Sequence, residues 1–91
     1  MTLSLDDAKK LTYGTILFHV TNINADGSPQ RWRVNGKVKT WKRSPDRIQV
    51  PLKQGMYGFD YLTEEDLSYL TLCESDALLA RNSDALGFDN N

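Results

Sequence analysis

The chain predicts a small, mainly β single domain, on three observations. Two segments, 15–23 and 47–53, alternate apolar with polar residues, the period of a half-buried strand. Clusters of turn formers separate the candidate strands at short intervals. Its 91 residues are 40% hydrophobic, with two Trp, four Tyr and three Phe, enough for one small core and no more.

Ser4 can cap a short helix over residues 5–11, with Asp7 three residues on and Gly14 as the stop. Leu5, Ala8 and Leu11 form its apolar stripe. From Thr15 to Ile23 the chain reads as a strand, in which Ile16, Phe18 and Val20 alternate with Leu17, His19 and Thr21. Asn24 to Pro29 is a loop, being dense in the turn formers Asn, Asp, Gly, Ser and Pro. Gln30–Val34 and Lys37–Lys42 then read as a hairpin around Asn35-Gly36. A three-residue loop with Gly36 left-handed pairs Arg33 with Lys37 and Arg31 with Lys39. It sets Trp32, Val38 and Thr40 on one face and the cations with Trp41 on the other. A one-residue slip would mix both faces, so burial favours the segregated register.

Ser44-Pro45-Asp46 reads as a tight turn. Arg47 to Lys53 is the next strand, with Ile48, Val50 and Leu52 inward. Pro51 cannot donate to a ladder, which places this strand at an edge or near a strand end. Phe59–Leu62 adds a short strand, and Thr63 caps a helical turn rich in acids. Residues 68–73 fit either a last strand or a continuation of that helix, and 75–81 favour a brief helix. About five strands, a tight hairpin and a helical turn before the last strand resemble an SH3-like small barrel, with an open α+β sheet as the runner-up. Residues 1–81 are expected to form the domain and 82–91 a flexible C-terminal tail.

The stretch Arg33–Arg43, followed by Pro45, Pro51-Leu52-Lys53 and Gly55-Met56-Tyr57, is similar to one in small uncharacterised proteins of bacteriophages and prophages. The resemblance covers roughly residues 14–67. It implies a phage or prophage origin and a small β-rich fold, and it identifies no site.

Composition narrows the functions. No apolar run nears the roughly 20 residues that cross a bilayer, and Met1–Lys10 lacks the pattern of a secretory signal. Cys73 stands alone, so no internal disulfide forms, and a reducing cytoplasm (that of a host bacterium, for a phage protein) is the expected location. His19 is the single histidine, with no partner visible in the sequence for base catalysis, and is read as structural. Glu74 and Asp76 beside Cys73 argue against a thiolate nucleophile. Asn22, Asn24, Asp26 and Gly27 imitate the start of a calcium loop, but Arg33 stands where the bidentate Glu is needed. One Cys and one His cannot make a tetrahedral zinc site, and no phosphate-binding glycine loop ends in Gly-Lys-Ser/Thr. No enzyme activity, metal or cofactor is therefore expected.

Charge distribution remains. Eight of the eleven cations lie between Arg31 and Lys53 with one acid, Asp46, whereas from Asp60 onward eight acids face one cation, Arg81. A basic strand face of Arg31, Arg33, Lys37, Lys39 and Arg43 could engage phosphates, with Trp41 stacking on a base. Lys42, Arg47 and Lys53 could widen it. The first expectation is a non-catalytic module binding nucleic acid. The alternative is a protein-interaction module, a host-factor inhibitor or virion accessory protein, using the same face with Trp41 or Tyr57 as anchor. A solvated face neutralised by the protein's own acids, or self-association of the two poles into a homo-oligomer, would also account for the charges.

Overall fold

A computed structural model describes residues 2–80. The frayed tail expected at 82–91 lies outside them, as does Arg81. The elements are α1 (Leu5–Lys9), β1 (Ile16–Ile23), β2 (Pro29–Val34), β3 (Lys39–Trp41), β4 (Ser44–Gln54), β5 (Gly58–Thr63), a 3-10 helix (Glu64–Tyr69) and β6 (Leu70–Thr71). Residues 74–80 are helical. The protein is mainly β: its six strands form one antiparallel sheet with short helices, and β5 and β6 do not pair to close it into a barrel.

β4 is the spine of the sheet. On one edge it pairs with β5 from Gln49↔Thr63 to Gln54↔Gly58. On the other it pairs with β2 (Arg33↔Lys53, Val34↔Leu52) and also with β3 (Lys39↔Gln49, Thr40↔Ile48). β2 and β3 therefore run in line as one interrupted strand, and Asn35-Gly36 does not close a hairpin. The hairpin turn is Lys42-Arg43, where Trp41 pairs with Ser44, so the turn expected at Ser44-Pro45-Asp46 falls two residues too late.

Pro51 explains the interruption. Its carbonyl accepts from Asn35 N–H at 2.8 Å, so its imide nitrogen faces the same neighbour and has no hydrogen to offer. The partner strand bulges by two residues at that point. Gly36 crosses so close to the proline ring that a Cβ would lie 2.7 Å from Pro51 Cγ. Gly36 is thus required for closeness and not for a left-handed φ, which it does not adopt. Pro51 in turn sits mid-sheet, not on an edge, because the bulge removes the need for its missing donor.

The alternation expected for 47–53 holds: Ile48, Val50 and Leu52 are buried, with Leu17, Val34, Leu62 and Leu70. Ala8 and Leu11 of the N-terminal stripe join this core, and Leu5, Trp32, Val38 and Leu67 pack on its margin. Each fully buried aliphatic side chain contributes about 1.5–3 kcal/mol. Ser4 Oγ caps α1 by accepting from Asp7 N–H at 3.1 Å, and the helix ends by Lys10, earlier than the predicted 11. The segment left open in the sequence divides: the 3-10 helix runs to Tyr69 and a two-residue strand follows, paired with β1 through Phe18↔Thr71 and His19↔Leu70. Asp66 Oδ2 holds the start of that helix, accepting from Thr63 N–H at 2.9 Å.

Candidate functional site

Register fixes which side chains share the face opposite the core. Since Leu52 and Val34 point inward, their neighbours Lys53 and Arg33 point outward. A continuous row results across four strands: Ile16, Arg33, Lys53 and Phe59. Arg31 stands beside Phe18 on the same face, Tyr61 beside Pro51, and Lys39 beside Gln49 and Thr63. No acid occupies these outward paired positions among the described residues. A shallow groove of about 320 Å³ lies within the face, lined by Ile16, Arg31, Arg33, Lys53, Gln54 and Gly55, with Trp32 reaching its border from the core side.

The six residues singled out from sequence separate into two groups. Arg31, Arg33, Lys39 and Trp41 share the outer face. Lys37 leaves it: it lies in the bulge and lines a separate groove with Lys9, Thr12 and Tyr13. Arg43 sits at the tip of the β3–β4 hairpin, away from the groove. Both departures follow from the pairing, since the expected hairpin would have laid Lys37 against Arg33. The like-charge pair that the structure builds is Arg33 opposite Lys53.

Trp41 is half-buried and occupied. The Arg47 guanidinium lies 4.3 Å and the Lys39 ammonium 5.0 Å from its ring centroid. Glu64 and Glu65 border the same depression. Glu64 accepts from Ile48 N–H at 3.3 Å, and with its own backbone N–H, that bond and Arg47 hold its carboxyl below the usual range. This end of the face is therefore partly neutralised. The open rings are Phe59 and Tyr61, 65% and 56% exposed, with the Lys53 ammonium 5.6 Å from the Phe59 centroid. Neither was singled out for stacking on sequence grounds. The only local signal was their alternation with Asp60 and Leu62 beside a basic strand.

Other candidates resolve differently. His19 Nδ1 accepts from the backbone N–H of Thr21 (3.1 Å) and Asn22 (2.9 Å), where β1 bulges against β2. Burial lowers its pKa, against the pull of Asp66. Cys73 behaves opposite to expectation: Ser75 Oγ, 2.9 Å from its sulfur, and nearby backbone N–H groups lower the thiol pKa despite Asp76. Among the described residues no three His, Cys, Asp or Glu side chains gather as a metal site. No helix there is long and apolar enough to cross a membrane.

Compared with known protein families, curated proteins and solved structures, the chain finds no match.

Proposed function

We propose that this protein is a non-catalytic module that binds single-stranded nucleic acid on the outer face of its sheet. The observation that carries this reading is the groove formed by Arg31, Arg33 and Lys53 beside the exposed ring of Phe59. Cations in a groove can follow a phosphate backbone, and exposed rings stack on unpaired bases, which a duplex does not offer. Arg33 and Lys53 as direct neighbours cost a few tenths of a kcal/mol or more without an anion between them. Phosphate relieves that repulsion. Lys39 extends the track, while Trp41 steadies Lys39 and Arg47 in place of stacking on a base.

An SH3-like small barrel, left open in this chain, belongs to the same proposal. β2 and β3 acting as one interrupted strand reduce the sheet to five strand paths, and a 3-10 helix precedes a last strand that returns to β1. A phage origin rests on the resemblance of residues 14–67 alone.

The test is anisotropy of labelled single-stranded DNA, single-stranded RNA and duplex at rising salt. Single strands should bind, lose affinity with salt, and be released by Arg33→Glu/Lys53→Glu. If no oligonucleotide is retained at the lowest salt, the reading fails. A protein-docking role for the same face has one observation in its favour: Met56 and Tyr57, 75% and 88% exposed, sit at the tip of the β4–β5 hairpin as a ready anchor. A partner captured by the wild type and lost with Tyr57→Ala, with no oligonucleotide binding, would establish that role instead.

A further inference from the structure

We propose that a second site, a cleft on the core side of the sheet walled by Trp32 and Tyr69 and edged by Asp60 and Asp66, binds an aliphatic ammonium group. The cleft encloses about 110 Å³, the volume of three or four water molecules. That space admits a linear alkyl chain. Trp32, paired with Leu17, and Asp60, paired with Leu52, stand on the side opposite Arg33 and Lys53, although Trp32 also borders the outer groove and Tyr61 also lines the cleft.

Its polar groups select for a donor. Trp32 Nε1–H and Asn22 Nδ2–H both donate to Gln30 Oε1, at 3.1 and 3.3 Å, and Gln30 Nε2–H donates to Gln54 Oε1 at 3.4 Å. One N–H of each group is engaged in this way, so the preference of the cleft is set by its carboxylates. Asp60 uses Oδ1 for Tyr61 N–H at 2.7 Å, and Asp66 uses Oδ2 for Thr63, so each carboxylate retains a second oxygen. Asn22 Oδ1 is a further acceptor. The lining holds two carboxylates and no Lys or Arg. His19 stacks on Tyr69 with ring centroids 6.0 Å apart, and burial disfavours its charged form, so it adds no opposing cation at neutral pH.

An ammonium group answers each feature. It brings three N–H donors for the acceptors, a charge for the carboxylates, and an attraction to the indole and phenol faces. A bare divalent ion would need about six oxygens, more than two carboxylates and an amide supply.

Trp32 reports on occupancy once Trp41→Phe leaves it as the sole indole. Titrating the full chain with n-butylammonium should give a saturable fluorescence change, and the isosteric n-butanol should give none. Asp60→Asn should weaken the ammonium about ten-fold, the loss of one charge-assisted hydrogen bond, and leave oligonucleotide binding unchanged. The indole N–H resonance of Trp32 in the unsubstituted chain gives the same readout should Trp41→Phe perturb folding. Putrescine and Nα-acetyl-lysine methylamide then distinguish a free polyamine from a lysine side chain, the tighter of the two naming the source. Equal responses to butylammonium and butanol, or no saturable response to the amine, would overturn the site.

Discussion

His19 shows how one side chain can be fixed by backbone and still govern a pH response. Its Nδ1 takes two backbone N–H donors at the β1 bulge, so a proton there would replace attraction with repulsion. Unfolded, the imidazole titrates near its ordinary value of 6.5; folded, burial holds it lower. Between those values the unfolded chain binds more protons, so stability rises with pH and is lost as pH falls through the folded pKa. The melting temperature should fall from pH 7.5 to pH 5, and His19→Asn, which keeps an acceptor without the titration, should flatten that slope. Parallel profiles for the two proteins would remove His19 as the cause. Asp26 and Glu64, both held below the usual carboxylate range by hydrogen bonds, act in the same direction at more acidic pH. Arg33 allows a different separation at this scale. Arg33→Glu places opposite charges across from Lys53 and should stabilise the fold by about 0.2–1 kcal/mol. The same change should weaken oligonucleotide binding. A gain in denaturation midpoint with a loss of affinity marks a residue kept for its ligand; a loss of both marks one kept for the fold.

Among the elements, the β2–β3 interruption decides the most. Gly36→Ala drives a methyl group into Pro51 Cγ, 2.7 Å away, and should cost about 1–3 kcal/mol, read by urea unfolding. Pro51→Ala in the same chain should recover most of that loss, because it removes the ring and restores an N–H; two additive losses would show that the contact is not the cause. This element also shows what the sequence can and cannot reveal. Asn-Gly is a strong local hairpin signal, yet pairing with β4, whose proline lacks a donor, overrides it, and no local pattern announces that choice. The bulge adds an even number of residues, which preserves alternation. Arg31, Arg33 and Lys39 therefore share a face under the expected register and under the observed one, although their neighbours differ. Ile48, Val50 and Leu52 were legible because period two is a property of the strand itself. Lys53, Phe59 and Tyr61 join the face through cross-strand neighbours, information that resides in the topology.

At the scale of the molecule, the charges of the described residues separate in part between two surfaces. Outward stand Arg31, Arg33, Lys39 and Lys53; on the core side Asp60 and Asp66 border the cleft, and Glu64 and Glu65 end the basic track at Trp41. A near-neutral protein of this design attracts a polyanion in one orientation and repels it in others. Salt dependence measures how many cations take part, since single strands lose about 0.7 in logarithmic slope per phosphate neutralised. Four cations imply a slope of about −2.8, hence roughly a fifty-fold loss of affinity between 50 and 200 mM salt. Arg33→Glu/Lys53→Glu should reduce that slope by about 1.4 or more. Phe59→Ala and Tyr61→Ala should act differently: each removes about 1–3 kcal/mol of stacking and leaves the slope unchanged. Cations thus control the steepness and rings the height of one titration, and the two contributions are read from the same curves. A slope unaffected by the double reversal would place the phosphates on another surface. Ring variants that change the slope would mean that Phe59 and Tyr61 serve to hold Lys53 in position and do not touch bases.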